Sequence, residues 1–561
     1  MSRSLEKRRE LVAVLVPAIV MFAIGLWGLD RGGMWRDEAA TFEVARRPVP
    51  EIWHLLHHVD AVHGLYYLMM HLVLAVHPGE VVLRLPSVCG AASAAALIAA
   101  LGARLCRPRV GLWAGLLYAV TPMAGHYAQE GRSYALVAAG VAGATLLLLR
   151  AVRDGRWWPY GVVVTVSCVL HEFAVLALPA HACTLALARV PGRVWRGWLL
   201  SAGATVLVLL PLVLVSHGQA AQVSWLTKPD GRTVEALMRA FAGPSSGVLV
   251  PYLVLVVLGL WRPGGGRGIS LAGVAVPLVL VPPAVLMAVS EISPLYYDRY
   301  VLYSLAGAPL LAAAGADRVA GAVRWMWTGG LRTSTALPFR VHSDEGAADP
   351  VPSGGDVALG LGLRVSGAAR PAVTGGGVAL RDAPSAGVPG AVPAVRRPSP
   401  VWRHGTALLG VLAVCAAFAS QLPLLRADRL ASHRADNLAA VSAFVGRQVR
   451  PGDPVLFLPS LERRSALTYP ARFHGIRDVA LDVPAREDGS LYGREVGPGE
   501  LRRRLAGLSK VWVQTQSYAL RTSWTPSSPT ESAKLAVLQD DFRIQAQYVS
   551  RGVTLRLYVR R

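Results

Sequence analysis

Residues 11–38 read LVAVLVPAIVMFAIGLWGL-DRGGMWRDE, a largely apolar run followed by a short polar segment that ends in two adjacent acids, Asp37 and Glu38. The apolar run is long enough for one membrane-crossing helix, which needs about 20 predominantly apolar residues. Basic residues at positions 7–9 precede it and no small-residue cleavage site follows it, so we predict a retained span rather than a cleaved signal peptide. This helix would place the acidic pair directly beyond the membrane.

The composition of the whole chain indicates a polytopic membrane protein. Apolar residues make up 53% of the 561 residues and charged residues only 16%, with a mean hydropathy of +0.41. Soluble proteins carry about 25% charged residues. The net charge of +22 could suggest a nucleic-acid ligand, but Lys and Arg are concentrated in loops between apolar runs. The positive-inside rule accounts for most of this charge.

Applying that rule along the chain predicts about eleven spans with a cytoplasmic N-terminus. The predicted spans are 11–29, 82–103, 110–123, 134–149, 158–170, 173–188, 198–215, 247–260, 271–289, 300–314 and 406–422. The apolar run 65–76 has about 12 residues, too few for an ordinary crossing, so we interpret it as a juxtamembrane or re-entrant helix.

The predicted domain organisation follows from changes in composition along the chain. The first predicted unit is a transmembrane module at 1–328, with a first external loop at 30–81. The segment 329–404 is rich in Gly, Ala, Pro and Ser and is predicted to be a disordered cytoplasmic loop. The last transmembrane helix is predicted at 405–425 and an extracytoplasmic α/β domain at 426–561. In that last domain we expect a helix at 435–449 and strands at 455–458, 511–513 and 553–559. The five cysteines lie in or beside spans, which favours neither a disulfide framework nor a metal cluster.

Ionisable and polar residues converge on the side of the membrane that carries the acidic pair. The residues that the topology places there are Asp37, Glu38, His63, His126, Gln129, Glu130, Arg132, His171, Glu172, Asp298 and Arg299. A site at the outer boundary needs carboxylates, imidazoles and cations gathered on that side. If residues 126–133 were helical, His126, Gln129, Glu130 and Ser133 would share one face that could line a cleft.

Five short motifs, in this order and on this side of the membrane, resemble those of a known superfamily. They are Asp37-Glu38, HGLYY at 63–67, RLP at 84–86, YAQEGRSY at 127–134 and YDRY at 297–300. Over residues 10–315 the chain resembles the GT-C superfamily of membrane glycosyltransferases, and within it the bacterial protein O-mannosyltransferases of glycosyltransferase family 39 and the related aminoarabinose transferases. The resemblance implies a GT-C fold with about eleven transmembrane helices.

The resemblance also implies an activity. Such enzymes transfer a sugar from a polyprenyl-phosphate sugar to a hydroxyl acceptor on the outer membrane face, with inversion at the anomeric carbon. The sugar expected for this chain is mannose, and the acceptor hydroxyl is expected on a protein Ser or Thr or on an envelope glycan or lipid. Asp37 would act as general base, and Glu38, the second residue expected at the catalytic centre, would orient the acceptor or support Asp37. Arg299, Arg132 and His63 would bind the donor phosphate. The residues expected to bind substrate are Tyr67, His126, Gln129, Glu130, His171 and Asp298.

The resemblance implies no obligatory cofactor, although a divalent metal remains compatible with it, and no metal ligands are predicted. The expected partners are the lipid-linked sugar, a protein or glycolipid acceptor and membrane lipid, with no nucleic acid, and the expected location is the plasma membrane. A transporter or flippase for a polar or lipid-linked substrate is the alternative, but it should show charges deep in the spans and an internal repeat. A third interpretation is a non-catalytic assembly protein, for which the acidic pair would be dispensable.

Each candidate residue also has a structural interpretation. The acidic pair could be the favourable first turn of a helix, and Arg299 could be an interfacial residue that reaches toward water. His171 and Glu172 could simply form a polar external turn. His126, Gln129 and Glu130 could pair with one another between helices, and we interpret Arg84 as a structural or headgroup contact.

Overall fold

The computed structural model describes residues 2–243, 245–261, 268–329, 400–430, 436–521, 523–550 and 553–561. Residues 1–323 and 406–561 form one compact unit, and residues 324–405 form a second unit that lies mostly outside the described ranges. The disordered loop predicted at 329–404 falls almost entirely outside them as well. The described part of the second unit consists of the end of one helix and the start of the next.

The N-terminal part of the chain is almost entirely helical, as its composition predicts. Its helices are α1 Ser2–Leu26, α2 Arg36–Ala45, α3 Val49–Leu56, α4 Gly64–Val76, α5 Glu80–Leu105, α6 Pro108–Val120, α7 Pro122–Ala128, α8 Tyr134–Asp154, α9 Trp158–Leu170, α10 Ala177–Leu187, α11 Gly192–Gly218, α12 Gly231–Ala242, α13 Ser246–Leu260, α14 Leu271–Ser290, α15 Gly307–Gly329 and α16 Pro400–Asp428. Short 3₁₀ helices connect several of them, at Ala61–His63, Glu172–Leu176, Ala220–Val223 and Asp298–Ala306.

Six of the described helices are long and apolar enough to cross a membrane, and α12 and α13, which meet at 83°, would make a seventh if they form one broken span. The six are in α1, α5, α8, α11, α14 and α16. Three further apolar helical segments, Ala61–Val76, Trp158–Leu170 and Glu172–Leu187, are shorter, with 10–17 residues each. The prediction of a polytopic helical membrane protein is confirmed, but the number of eleven spans is not.

Three predicted spans are irregular in the structure. One of them, 173–188, begins as a 3₁₀ segment and becomes an α-helix only at Ala177. The span predicted at 110–123 breaks at Thr121, which is extended, and a separate short helix starts at Pro122. A residue before proline is disfavoured in the helical region, and this accounts for the break. The span predicted at 300–314 begins as a 3₁₀ segment and becomes an α-helix only at Gly307. The last two irregular segments lie beside the polar residues discussed below.

Close helix contacts fix the positions of α5 and α8. A Cβ built on Gly90 of α5 would lie 2.9 Å from the carbonyl carbon of Ala135 in α8, so only glycine permits this approach. Small residues are what membrane helices use to bring their backbones together. One turn earlier on α5, the hydroxyl of Ser87 donates to the carbonyl oxygens of Glu130, at 2.6 Å, and Arg132, at 2.9 Å. Helix α5 therefore holds the loop that precedes α8.

The C-terminal part forms a small α/β domain, which confirms that part of the fold prediction. Its strands are β1 Pro454–Leu458, β2 Arg477–Asp478, β3 Leu481–Val483, β4 Arg494–Glu495, β5 Lys510–Gln516, β6 Phe542–Ser550 and β7 Val553–Arg560. Its helices are α17 Leu438–Gln448, α18 Arg464–Thr468, α19 Ala485–Asp488, α20 Pro498–Ala506 and α21 Pro529–Asp541, with 3₁₀ turns at Ser460–Arg463, Pro470–Phe473 and Ser517–Leu520.

The main sheet of this domain has the strand order β2-β1-β5-β7-β6. Strand β1 is buried at every position and pairs in parallel with β2 and β5, whereas β7 pairs antiparallel with β5 and β6. A continuous apolar strand covered on both faces is typical of a central parallel strand. Separate apolar clusters lie on its two faces, one around Leu456 and Val513 and the other around Val455 and Phe457.

The C-terminal domain contacts the first external loop directly. The fully buried Arg47, two residues after α2, donates to the carbonyl oxygens of Ala485, at 3.4 Å, and Ser490, at 2.9 Å. Its Nη2 also lies 2.6 Å from the carboxylate of Glu43. These contacts anchor the far end of the helix that carries the acidic pair.

Candidate active site

The acidic pair occupies the first turn of α2, just after the extended residue Trp35. The structural interpretation of the pair is therefore geometrically correct, since acids are favoured at this end of a helix. The two side chains nevertheless have different surroundings: that of Glu38 is completely buried, whereas that of Asp37 is 18% exposed. They consequently cannot have equivalent roles.

Glu38 is part of a buried ion pair with Arg84, neither of whose side chains reaches the surface. Its two carboxylate oxygens accept hydrogen bonds from Arg84 Nε and Nη2, at 2.7 and 2.8 Å. The backbone N–H of Gly131 donates to the same carboxylate at 3.0 Å, and Arg84 also donates to the carbonyl oxygen of Leu29 at 2.9 Å. A buried carboxylate held in this way can support the position of α2, whereas a catalytic role for Glu38 stays a prediction. The buried ion pair also agrees with the structural role predicted for Arg84.

Asp37 lies against two guanidinium groups. Its Oδ2 is 3.1 Å from Arg299 Nη2 and 3.8 Å from Arg132 Nη2. Both arginine side chains are at least nine-tenths buried, although Asp37 itself remains accessible. A partly exposed carboxylate between buried cations can bind a ligand on its open side. The structure thus brings together three residues that are far apart in the sequence.

Arg299 is held by aromatic rings and by the 3₁₀ turn in which it lies. Its guanidinium carbon is 4.6 Å from the ring centre of Tyr297 and between 5.5 and 5.7 Å from those of Trp35, Tyr134 and Tyr300. Such cation–π contacts stabilise a desolvated cation. Within the described part of the chain, its buried Nε has no hydrogen-bond partner. This donor is therefore available to a ligand.

Arg132 has a similar environment. Its Nη1 donates to the hydroxyls of Thr41, at 3.3 Å, and Tyr67, at 3.5 Å, and its buried Nε has no hydrogen-bond partner among the described residues. The hydroxyl of the completely buried Tyr67 donates to Asp60 Oδ2 at 2.6 Å. Tyr67, predicted to bind substrate, therefore positions Arg132 from behind.

Asp60 is a site residue that sequence reasoning missed. It adopts a left-handed backbone conformation, with φ near 60°, before the turn that carries His63. Burial raises the pKa of its carboxyl group, although Arg132 and the Tyr67 hydroxyl oppose that shift. Its position in the same external loop as Asp37, three residues before His63, is the signal that could have revealed it.

His63 and His171 both lie in the site, and both are buried. Burial lowers the pKa of each imidazole, and the charges of Arg132 and Arg299 lower it further, to about 3 for His171. At neutral pH both rings are therefore uncharged. The Nδ1 atom of each ring has no hydrogen-bond partner among the described residues. Each ring can thus form one hydrogen bond to a ligand, but neither supplies positive charge.

The helical face expected at residues 126–133 does not form. Helix α7 ends at Ala128, and the side-chain amide of Gln129 donates to the carbonyl oxygens of Gly25 and Trp27, both at 2.8 Å. The prediction that a helix places His126, Gln129, Glu130 and Ser133 on one face is wrong, because the chain turns after α7 to reach the start of α8. Gln129 joins α7 to the end of α1.

The neighbouring His126 and Glu130 are close to each other but differ in exposure. His126 is half exposed, and its ring lies 3.1 Å from Asp428 and 3.9 Å from Glu130. Burial raises the pKa of Glu130 to about 7, with His126 the strongest opposing influence. No hydrogen bond to either carboxylate oxygen of Glu130 is found within the described ranges. Glu130 thus adds a buried carboxyl group, titrating near neutrality, close to Asp37.

Asp298 lies beside a surface cavity. Its Oδ1 accepts a hydrogen bond from the backbone N–H of Arg299 at 2.7 Å, which fixes the 3₁₀ turn. Asp298, Tyr296 and Tyr297 line one wall of a cavity of about 400 Å³, and residues 227–237 line the other. Because Tyr297 also packs on Arg299, this cavity adjoins the cluster around Asp37. The described ranges contain no group of three or more His, Cys, Asp or Glu side chains that could hold a metal ion.

Comparison with known proteins agrees with this architecture. Residues 64–218 match the family described as dolichyl-phosphate-mannose-protein mannosyltransferase. The structure of ArnT from Cupriavidus metallidurans, in its apo state, superposes with a TM-score of 0.52 over 98% of this chain and 97% of that one, at 11% identity. This chain has the GT-C fold of ArnT.

Two further structures resemble this chain. The same ArnT bound to undecaprenyl phosphate also gives a TM-score of 0.52, at 12% identity over 98% of this chain and 97% of that one. The oligosaccharyltransferase AglB from Archaeoglobus fulgidus, in complex with an inhibitory peptide and a dolichol phosphate, is less similar, with a TM-score of 0.43 at 11% identity over 98% of this chain and 74% of that one. No curated protein sequence matches the chain.

The family match covers only part of the candidate site. It includes Arg84, Arg132 and His171, but Asp37 and Arg299 lie outside residues 64–218. The roles proposed for Asp37 and Arg299 therefore depend on their geometry and not on the family match.

Proposed function

We propose that this protein transfers a sugar, in the first instance mannose, from a polyprenyl-phosphate sugar to a hydroxyl acceptor, and that Asp37 is its general base. The observation that supports the proposal best is the position of Asp37: a partly exposed carboxylate 3.1 Å from a buried arginine whose Nε has no partner in the described part of the chain. A base and a phosphate-binding cation side by side are what this transfer requires.

The proposed reaction is a single displacement. The acceptor oxygen forms a bond to the anomeric carbon as the bond from that carbon to the phosphate oxygen breaks, and the acceptor proton passes to Asp37. Polyprenyl phosphate leaves with the electron pair of the broken bond. One base is enough for this reaction, because no covalent sugar intermediate forms, and the anomeric configuration is inverted. Glu38, held by Arg84, would position α2 instead of taking part in the chemistry.

The two arginines would stabilise the charge that develops on the leaving phosphate. Arg299 and Arg132 each retain an unpartnered Nε beside the carboxylate, within the described residues, and guanidinium groups are well suited to phosphate oxygens. Preorganised donors of this kind stabilise a transition state without reorganisation during the reaction. His63 and His171, being neutral, would add hydrogen bonds to the phosphate or the sugar.

Different observations support the proposed lipid carrier and the proposed sugar. A polyprenyl-phosphate donor is supported by the fold shared with an ArnT that binds undecaprenyl phosphate, and mannose by the family matched at residues 64–218. The acceptor hydroxyl would belong to a protein serine or threonine or to an envelope glycan or lipid. The distribution of Lys and Arg supports a plasma-membrane protein with a cytoplasmic N-terminus and an outward-facing site.

A transfer assay with the purified full-length chain tests the proposal. Supplied with polyprenyl-phosphate-mannose and candidate protein or glycolipid acceptors, the protein should form a mannosylated product whose anomeric configuration is opposite to that of the donor. If the protein transferred only a different sugar from its polyprenyl phosphate, the proposal that the sugar is mannose would be wrong. If lipid-linked sugar crossed proteoliposomes without any covalent product, the transporter alternative would be correct and the proposal wrong.

The role of Arg299 leads to a separate prediction. Replacing Arg299 with Ala should raise the apparent KM for the lipid-phosphate donor about tenfold to hundredfold, because a charge-assisted hydrogen bond to phosphate is lost. The KM for the acceptor should change much less. Steady-state kinetics with each substrate varied in turn provides the measurement.

Arg46→Ala provides the matched control for Arg299→Ala. Arg46 lies at the end of α2, is exposed, and packs over the ring of Phe42 at 4.8 Å instead of contacting Asp37. Its loss should leave both KM values near wild type. Equal increases in donor and acceptor KM for Arg299→Ala would contradict a specific role at the phosphate.

A further inference from the structure

The segment that leads into α2 is held by the C-terminal domain through both backbone polar groups of one residue, Met34. The backbone N–H of Met34 donates to the hydroxyl of Tyr469 at 3.2 Å, and the carbonyl oxygen of Met34 accepts from the backbone N–H of Leu438 at 3.4 Å. Met34 itself is only 2% exposed. Since Asp37 follows three residues later, these contacts constrain the start of its helix.

The two parts of the chain are also in tight contact at Gly33. A Cβ built on Gly33 would lie 2.5 Å from the Cβ of Ala439 and 2.9 Å from its backbone nitrogen. No side chain larger than hydrogen fits between this loop and the start of α17. The C-terminal domain therefore docks against the segment that carries the site with no room for displacement.

Tyr469 connects the docked segment to the buried ion pair of Arg84 and Glu38. Its hydroxyl donates to Glu80 Oε1 at 2.5 Å, and Glu80 is four residues before Arg84 on α5, with 4.0 Å between carboxylate and guanidinium. Arg84 in turn holds Glu38. The phenol hydroxyl thus joins the backbone before α2 to the charges that fix its first turn.

We propose that Tyr469 is a positioning residue: through Met34 and Glu80, its hydroxyl orders the first turn of α2 and so sets the place of Asp37. The C-terminal domain would then act in the reaction without touching the reacting atoms. The consequence for catalysis rests on the proposed function, whereas the ordering of α2 does not. A small misplacement of a catalytic group costs up to about a hundredfold in rate, so one hydroxyl in this position can matter.

Tyr469→Phe tests this proposal, because phenylalanine fills the same volume but can neither donate to Glu80 nor accept from Met34. Hydrogen exchange in the full chain should be about three- to tenfold faster at the Met34 amide, the change expected for the loss of one hydrogen bond, and faster in the first turn of α2. The kcat for transfer should fall with the donor KM unchanged.

Tyr558→Phe is the matched control for Tyr469→Phe. It removes a hydroxyl in the same domain that accepts a hydrogen bond from Arg556 in the sheet, at 3.2 Å. Exchange at Met34 and kcat should both stay at the wild-type level. In addition, the losses in kcat from Tyr469→Phe and Glu80→Ala should not multiply in the double variant, since each substitution removes the hydrogen bond between these two side chains.

The outcomes separate this proposal from the proposed function. Unchanged exchange at Met34 and in α2 for Tyr469→Phe would overturn it, whether or not the protein transfers sugar. Faster exchange with unchanged kcat in an active enzyme would also overturn it, because α2 would then be disordered without consequence for Asp37. If the wild-type protein transferred no sugar from any polyprenyl-phosphate donor, the proposed function would fail, and the exchange data alone would decide whether Tyr469 orders α2.

Discussion

Asp37→Asn should lower the kcat for sugar transfer by about 10² to 10⁴-fold, the range expected when a general base is lost. Asparagine has the same shape and can still contact Arg299, but it does not accept a proton from the acceptor hydroxyl. Binding of the lipid-phosphate donor should be retained, since both arginines remain. A single-turnover assay with saturating donor, together with direct measurement of donor binding, separates the two effects.

Asp30→Asn is the appropriate comparison for Asp37→Asn. Asp30 is an exposed acid in the same external loop, so its neutralisation changes the local charge equally without touching the cluster around Arg299. This variant should transfer sugar at close to the wild-type rate. Wild-type activity in a folded Asp37→Asn protein would show that the assignment of the base is wrong.

Arg84→Leu should be the most destabilising of the substitutions considered for this protein. Removing one partner of a buried ion pair typically costs about 3 to 5 kcal/mol, because the remaining charge is left without compensation in a desolvated place. Here Glu38 would be that charge, and the carbonyl oxygen of Leu29 would lose its donor as well. Thermal unfolding in detergent should show a marked decrease in stability.

A double variant distinguishes the stability effect from a catalytic one. Replacing both Arg84 and Glu38 with Leu should recover much of the stability, since paired apolar replacements of buried ion pairs are often nearly neutral. Activity should remain low, because the hydrogen bond from Gly131 to Glu38 and the bond from Arg84 to Leu29 would both be lost. Arg153→Leu, which breaks an exposed ion pair with Asp154, should scarcely change stability. If Arg153→Leu and Arg84→Leu lowered the stability equally, the prediction that the buried ion pair stabilises the fold more than the exposed one would be wrong.

Much of the fold could be predicted because apolar run length is a local property of the sequence. The run at 11–29 became α1, and the buried strand at 455–458 became the centre of the sheet. Strand β6 was not predicted, because most of its residues are exposed and gain their partners only by pairing with β7. The breaks at Thr121 and before Gly307 were missed since apolar composition continues through both.

The candidate site could be predicted in its membership more than in its roles. Asp37, Arg132, His63, His171 and Arg299 come together in the structure as the outer-face convergence and the family resemblance suggested. The roles of their neighbours, by contrast, depend on contacts between distant segments. Gln129 turned inward to α1 and Glu38 paired with Arg84, and neither orientation is encoded in local spacing.

The sequence alone determined that this is a polytopic membrane protein with a C-terminal α/β domain and a polar cluster beyond its first span, because apolar run length and charge distribution are local properties. Only the tertiary structure decided which of the two adjacent acids is accessible. Successive residues of a helix point in directions about 100° apart, so one faces Arg299 and the open site whereas the other faces the buried Arg84. That division depends on what α5, the 3₁₀ turn at Asp298–Ala306 and the C-terminal domain place around α2.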